Sequence, residues 1–260
     1  MLKISIASTF YNDKKMLKVV LDSVLSQTYP DIEHCIADAG STDGSVELLQ
    51  EYEEKYRQAG KTLRWTSGKD TGRSDGINKS VDMATGDYIF VAFFDPFINE
   101  RIVDEVASTL NRENPDYIYG GIYYHRDGTI VRKWDGKKGN WKLGWMAATP
   151  TLCVKRSVWE LKRPFDPEIV LAADYGFQLA LFEDERLKGV PLNKKIVLYY
   201  AGGGSNNKLE DKVASIKEAY KVLKRRQIKH AWFINLCKTV RGVCSYIFVV
   251  RQRIEQEDLK

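Results

Sequence analysis

Four aspartates, Asp38, Asp75, Asp95 and Asp174, stand at positions where a carboxylate can do chemistry. Asp38 and Asp95 each follow an apolar run that predicts a buried strand. Asp75 lies in the polar, glycine-containing stretch 70–79 (DTGRSDGINK), and Asp174 follows the apolar run 170–173 at the start of a predicted helix. Because open α/β sheets bind ligands beyond the carboxyl ends of their strands, we expect these four carboxylates to lie along one sheet edge and around a single pocket.

Several carboxylates at one site repel each other unless a cation or a hydrogen-bonding ligand offsets their charge. A sugar nucleotide supplies such groups, namely a base N–H, ribose hydroxyls and, with a divalent ion, a diphosphate. The pattern therefore predicts a site for a charged, phosphate-bearing ligand. Each acid also has a simpler explanation: Asp38 can cap a turn, Asp75 can share a solvated helix face with Asn78, and Asp174 can be a helix N-cap.

The elements that must position these residues alternate along the chain. Strands are predicted at 3–7, 32–37, 63–66 and 88–94, and helices at 13–27, 41–59, 75–85 and 100–112. This alternation predicts βαβ crossovers and a mainly parallel sheet. Further on, residues 117–124 and 129–132 predict an antiparallel hairpin, followed by a helix at 174–184, a strand at 195–200 and a turn at 202–205. From residue 209 to the end we expect helix.

Composition bounds the class of protein. A chain of 260 residues with 43% apolar residues can bury a substantial core. Its four cysteines form no CxxC pair and have no neighbouring histidines, which argues against structural zinc and fits a reducing compartment. We expect neither a signal peptide nor a membrane-spanning helix, and therefore a cytoplasmic protein.

Six motifs, in register from about residue 3 to 207, resemble the family 2 inverting glycosyltransferases of the GT-A fold, and more narrowly the bacterial enzymes that build cell-surface polysaccharide. The motifs are 36–45 (IADAGSTDGS), 70–79 (DTGRSDGINK), 84–89 (ATGDYI), 165–166 (FD), 172–175 (AADY) and 202–205 (GGGS). The resemblance implies a Rossmann-like α/β fold: a mostly parallel sheet with helices on both faces, a small antiparallel hairpin on the acceptor side and C-terminal helices. It implies a glycosyltransferase domain at 1–207 and a basic helical extension at 208–260.

The resemblance also implies roles for individual residues in binding a nucleotide-sugar donor, for which a UDP-sugar is favoured because uridine is the commonest base among relatives. Thr9 and Tyr11 would line the nucleotide pocket, with Tyr11 against the base. Asp38 would accept a hydrogen bond from the base N–H. Arg73 and Asp75 would face the diphosphate and the sugar.

Two further acids would carry the chemistry that the resemblance implies. Asp95 would belong to the metal- and ribose-binding acidic motif and bind Mg²⁺ or Mn²⁺, and Asp174 would deprotonate a hydroxyl of a lipid-linked or oligosaccharide acceptor. The chain departs from the family pattern in that Pro96 replaces a usual Asp and Thr149 stands where many relatives have His. Two alternatives follow: an active enzyme with altered metal or donor use, or a non-catalytic protein that binds a nucleotide sugar or a partner. Retention of the four aspartates favours the enzyme.

A third alternative, a nucleotidyltransferase, would need a glycine-rich, basic phosphate loop after the first strand, which residues 7–12 do not supply.

The C-terminal segment combines a basic run at 217–230 with an apolar stripe at helical spacing: Trp232, Phe233, Leu236, Val240, Val243, Ile247 and Val250. Lys238 and Arg241 lie off this stripe. The pattern predicts a helix lying on an anionic membrane surface, ahead of a helix packed on the catalytic domain with a solvated basic side. Nucleic acid is not expected as a partner, because the basic run contains no recognised binding motif.

Overall fold

The first half of the fold is a parallel sheet. The computed structural model describes residues 1–162, 165–166, 168–201, 209–247 and 252–253. The first four strands are β1 (Ile4–Phe10), β2 (Ile32–Asp38), β3 (Thr62–Ser67) and β4 (Tyr88–Phe93). They lie in the order β3-β2-β1-β4, with every neighbouring pair parallel. Parallel neighbours need crossovers, which are α1 (Lys14–Leu25), α2 (Ser45–Gln58) and α3 (Arg73–Asp82).

Strand β4 explains why the sequence of the sheet centre is continuously apolar. All six of its residues are buried. Tyr88, Phe90 and Ala92 point into one core, formed with α1, α2 and α4 (Ile102–Glu113). The alternate residues from Ile89 to Phe93 point into a second core on the other face, which includes α3. Since side chains alternate along a strand, a strand covered on both faces must be apolar throughout.

The second half of the sheet is mixed. Strands β5 (Tyr117–Arg126) and β6 (Thr129–Trp134) form the predicted antiparallel hairpin. Strand β7 (Cys153–Lys155) lies antiparallel between β4 and β5, and β8 (Gly189–Tyr200) runs parallel to β5. The fold is therefore α/β, with helices on both faces of the sheet. Strand β7 and helix α5 (Arg156–Lys162) were not predicted, because three-residue and seven-residue elements carry too little periodicity.

The prediction of helix from residue 209 to the end is wrong in two respects. Helices α7 (Leu209–Arg225) and α8 (Ala231–Ile247) are separate, and residues 252–253 form a short strand, β9, beside β6. Gln227 and His230, with φ values of 55° and 58°, take the left-handed conformation between the helices, which ends one and redirects the chain into the next. The predicted turn at 202–205 lies outside the described residues.

Helix α8 has two distinct sides. Ala231, Ile234 and Asn235 are buried against the domain. The other side faces outward and contains the apolar stripe identified in the sequence, with Trp232, Phe233, Leu236, Val240 and Val243 between 40% and 63% exposed. The continuation of the stripe at 247 and 250 lies outside the described side chains. Among the described residues no helix is both long and apolar enough to cross a lipid bilayer.

Candidate active site

A cleft of about 600 Å³ opens beyond the carboxyl end of β4. Its walls come from the loop after β4, the start of α3, the hairpin β5–β6, helix α6 (Ala173–Phe182) and helix α8. Three of the residues singled out in the sequence, Arg73, Asp95 and Asp174, line this one cleft. Asp95 and Asp174 are 79 positions apart in the sequence and line the same cleft, Asp95 from the loop after β4 and Asp174 from the first turn of α6.

Asp95 lies two residues past β4 and is only 3% exposed. Burial raises the pKa of its carboxyl group well above the ordinary value, and the positive charge of Arg73 opposes that rise. The Arg73 guanidinium lies over the ring of Phe93, 5.6 Å from its centre. Phe93 itself has a φ of 53°, an uncommon backbone conformation for an aromatic residue. This kink turns the chain out of the sheet and directs the next residues into the cleft.

Asp174 lies in the first turn of α6 and is held by hydrogen bonds. The Thr149 hydroxyl donates to its Oδ2 at 3.1 Å, and the Tyr175 N–H donates to its Oδ1 at 2.8 Å. The Gln178 side-chain amide in turn donates to the Thr149 hydroxyl at 2.5 Å. The N-cap of α6 is Ala172. Asp174 is therefore not the N-cap residue, although its Oδ1 accepts from an N–H group of the first turn, and it also lines the cleft.

Asp38 ends β2 and does not line the cleft. It is 2% exposed, and its carboxylate accepts hydrogen bonds from the Gly40 and Ser41 N–H groups, from the Ser41 hydroxyl and from the Ser67 hydroxyl at 2.6 Å. These contacts order the loop between β2 and α2, as a turn cap would. Its predicted contact with a base remains a prediction.

Asp75, in the first turn of α3, is also outside the cleft lining. Its Oδ2 accepts from the Thr71 N–H at 3.0 Å and lies 3.0 Å from the Lys79 ammonium group. The spatial expectation from the sequence therefore holds for Asp95 and Asp174 but does not extend to Asp38 and Asp75, which lie along the neighbouring part of the edge.

Thr9 and Tyr11 lie at the end of β1, between the ends of β2 and β4 in the sheet. Thr9 is 7% exposed and lies against α3: a Cβ added to Gly76 would meet the Thr9 hydroxyl oxygen at 2.2 Å. Glycine at position 76 thus permits the close approach of α3 to β1. Tyr11 is 64% exposed, which leaves its ring available for stacking.

Sequence reasoning missed Lys238, which α8 contributes to the cleft. Its ammonium group lies over the Tyr175 ring, 5.0 Å from the ring centre. Burial lowers the pKa of Lys238, while the negative charge of Asp174 opposes that shift. Lys238 lies four residues from both Ile234 and Gly242, which places the three on one face of the helix. A lysine on the same face as the buried Ile234 was therefore the signal in the sequence that could have identified this residue.

Helix α8 is docked closely enough to fix this position. A Cβ added to Gly144 would meet the Lys238 backbone nitrogen at 2.1 Å, and Gly144 has a φ of 72°. Only glycine satisfies both the backbone conformation and the space at this contact.

A divalent metal finds few protein ligands here. In the part of the chain that the structure describes, no group of three or more His, Cys, Asp or Glu side chains is arranged to hold an ion. Asp95 offers one carboxylate, so these residues fit Mg²⁺ or Mn²⁺ only if ligand oxygens complete the coordination.

Comparisons with known proteins agree with the architecture. Residues 5–158 match the model of glycosyl transferase family 2. The chondroitin synthase of Escherichia coli is 27% identical over 192 residues, which cover 69% of this chain and 26% of that protein. The chain thus spans about a quarter of that relative's length.

Two solved structures share the fold. TarS residues 1–349 of S. aureus in complex with UDP-GlcNAc has a TM-score of 0.61 at 15% identity, covering 86% of this chain and 66% of that one. The mannosyltransferase PcManGT of Pyrobaculum calidifontis, in complex with GDP-Man and Mn²⁺, has a TM-score of 0.65 at 12% identity, covering 95% and 73%. With a family match over more than half of its residues and the GT-A architecture of its sheet, this chain belongs to glycosyl transferase family 2.

Proposed function

We propose that the protein is an inverting glycosyltransferase that moves a sugar from a nucleotide-diphosphate donor, preferably a UDP-sugar, to a hydroxyl group of a lipid-linked or oligosaccharide acceptor in surface polysaccharide synthesis. The main support for this proposal is that Asp174 and Arg73 line the same cleft. The pair supplies a base for the acceptor and a cation for the leaving group on two walls of the same space.

The reaction follows from these two groups. The acceptor oxygen attacks the anomeric carbon on the face opposite the leaving nucleotide diphosphate, and the Asp174 carboxylate takes the hydroxyl proton as the new bond forms. General-base assistance of this kind is typically worth about 10²–10⁴-fold in rate. The bond from the anomeric carbon to the diphosphate oxygen breaks, and its electron pair leaves with the diphosphate. Arg73 stabilises that negative charge in the cleft.

The donor side of this proposal rests on the edge formed by β2, β1 and β4. Tyr11 stacks on the base, Asp38 accepts from the base N–H, and Thr9 and Asp75 complete the nucleotide and sugar pocket. UDP-GlcNAc in TarS and GDP-Man in PcManGT support a nucleotide sugar as the class of ligand. Asp38 would have to exchange one of its present hydrogen bonds for the base.

We assign Asp95 to Mg²⁺ or Mn²⁺, held jointly by its carboxylate and the oxygens of the donor diphosphate. Such an ion would neutralise charge on the diphosphate when bound. Burial raises the pKa of the Asp95 carboxyl group, so a divalent ion would compete with a proton for this carboxylate. The Mn²⁺ in the PcManGT complex supports this assignment.

The exposed stripe of α8 is proposed to contact an anionic membrane, where lipid-linked acceptors lie. Trp232 and Leu236 would enter the interface, and exposed Lys221, Lys224 and Lys229 would face the lipid headgroups. The full chain should sediment with vesicles containing phosphatidylglycerol. A Trp232→Gln/Leu236→Gln variant should remain in the supernatant, and equal sedimentation of the two proteins would reject this contact.

The test of the transferase proposal is a thermal-shift panel of UDP-, GDP- and dTDP-sugars with and without Mn²⁺, followed by NMR of the transferred sugar. A ligand that binds only the folded state raises its melting temperature, so we expect the largest shift with a UDP-sugar and Mn²⁺, and a product of inverted anomeric configuration. Binding without transfer or hydrolysis would favour the non-catalytic alternative. No shift with any nucleotide sugar would overturn the donor assignment.

A further inference from the structure

We propose that the acceptor carries a negatively charged group, a carboxylate or a phosphate, and that Lys238 and Arg132 recognise it. The inference rests on the proposed transferase function, which assigns the β2-β1-β4 edge to the donor. The wall of the cleft beyond β4, away from β2 and β1 in the strand order, is then the acceptor wall. Helix α8 and the hairpin β5–β6 form this wall, and its charge is positive.

The position of Lys238 is the first support for an anionic acceptor. Its ammonium group is partly buried, and among the described residues no carboxylate lies within ion-pair distance of it. The Tyr175 ring beneath it stabilises the cation without neutralising it. Placing a cation in a cleft is costly unless its charge is neutralised. The charge of Asp174 opposes the fall in the Lys238 pKa but does not outweigh burial, and a bound anion would stabilise the cation further.

The position of Arg132 on strand β6 is the second support for an anionic acceptor. Its guanidinium group lies 4.5 Å from the centre of the Tyr124 ring and 5.0 Å from that of Trp134. Tyr124 in turn contacts Tyr199 of β8, with 4.9 Å between ring centres. Aromatic rings provide flat apolar surfaces on which a sugar ring can pack, and a stacked arginine supplies directed donors to a carboxylate or phosphate. This wall therefore suits an acidic saccharide.

Buried polar atoms beside Asp174 are the third observation. Tyr175 is 2% exposed and Gln178 is 1% exposed, and the Tyr175 hydroxyl and the Gln178 Oε1 have no hydrogen-bond partner among the described residues. Both residues line the cleft. Buried polar atoms are normally satisfied. These two have almost no accessible surface, so hydroxyl groups of a bound acceptor sugar would reach them only after a turn of either side chain toward the cleft.

The charges of the cleft can be divided between the two substrates. Arg73 lines the cleft with Asp95, its positive charge opposes the rise in the Asp95 pKa, and it is assigned to the donor diphosphate. Arg126 donates two hydrogen bonds to the Ala201 carbonyl and is held on the backbone. Lys238 and Arg132 line the acceptor wall, each over an aromatic ring. Because Lys238 lies on α8, the C-terminal helix would complete the acceptor site as well as carry the proposed membrane contact.

The test measures binding by calorimetry to the full chain in the presence of UDP and Mn²⁺. The probes are two matched pairs: p-nitrophenyl β-glucuronide against p-nitrophenyl β-glucoside, and glucose 6-phosphate against glucose. We expect the acidic member of at least one pair to bind on the order of tenfold more tightly than its neutral partner. The pair that shows the difference identifies the anion as carboxylate or phosphate.

The variants locate the effect. Lys238→Gln and Arg132→Gln should each remove most of the preference for the acidic probe, Lys238→Arg should retain it, and Lys55→Gln, at an exposed position on α2 outside the cleft lining, serves as the matched control. Affinity for UDP should be unchanged in all four. Equal binding of acidic and neutral probes, failure of both acidic probes to bind at millimolar concentration, or an unchanged preference in Lys238→Gln would overturn the inference. If the unmodified protein does not bind UDP, that result would overturn the proposed function instead of this inference.

Discussion

The hydroxyl group of Thr149 donates a hydrogen bond of 3.1 Å to the carboxylate of Asp174. Thr149 belongs to the short turn before β7, and Asp174 belongs to α6, so this bond joins the sheet to the helix at the cleft. Gln178 completes the chain by donating to the same hydroxyl. A carboxylate positioned in this way has a fixed orientation, which a general base requires.

Replacing Thr149 with valine should lower kcat by about 10-fold to 100-fold, since a hydrogen bond to a charged group is worth about 1.5–3 kcal/mol. Valine keeps the shape and removes only the hydroxyl. Steady-state kinetics with donor and acceptor varied separately would measure the loss, and the KM for the donor should stay the same. Thr149→Ser, which retains the hydroxyl, should keep kcat close to that of the unmodified enzyme. A fully active valine variant would show that Asp174 does not need this contact.

Asp95→Asn should stabilise the ligand-free protein at pH 8 while abolishing transfer. Because burial raises the pKa of Asp95 above its ordinary 3.8, the native state binds more protons than the unfolded state in the range above that value. Stability from this group is therefore present at low pH and lost as the pH rises through the native pKa. Removing the charge should gain about 1–3 kcal/mol at pH 8 and little at pH 4.

Urea denaturation of the two proteins at both pH values would measure this difference. Exposed Asp104→Asn on α4 serves as the control and should change the free energy of unfolding by no more than about 0.5 kcal/mol. An Asp95→Asn protein less stable than the original at pH 8 would mean that the carboxylate is well accommodated without a ligand.

Glu33 should contribute stability that acid removes. Burial alone would raise its pKa, but hydrogen bonds from Thr85 and Ser5, together with Lys3, outweigh this and lower the pKa from 4.5 to about 2. The contribution is complete above pH 4.5 and is lost as the pH falls toward 2. Glu33→Gln should therefore cost about 3 kcal/mol at pH 7 and much less near pH 2. A cost that does not depend on pH would contradict this assignment.

The sequence predicted the parallel half of the fold closely because its signals are local and repeated. The run 88–94 is apolar throughout, and the strand was found at Tyr88–Phe93. The break between α7 and α8 was missed because its left-handed residues, Gln227 and His230, carry no glycine or proline signal. Strand β7 exists only through its pairing with β4 and β5, which no local pattern encodes.

For the site, order along the chain predicted the shared edge but not the direction of each side chain. Asp174 and Asp95 face the cleft, while the Asp38 carboxylate is taken up by its own loop. That difference depends on which neighbouring hydroxyl groups lie within reach. Lys238 was outside every motif, because its place in the cleft depends on the docking of α8 at Gly144.

The general-base role of Asp174 is tested by measuring sugar transfer by the Asp174→Asn variant together with its affinity for UDP. Asparagine has nearly the same shape but cannot accept the proton. We expect transfer to fall by about 10²–10⁴-fold, with UDP affinity and melting temperature essentially unchanged. An Asp174→Asn protein that transfers sugar at the rate of the original would show that Asp174 is not the general base.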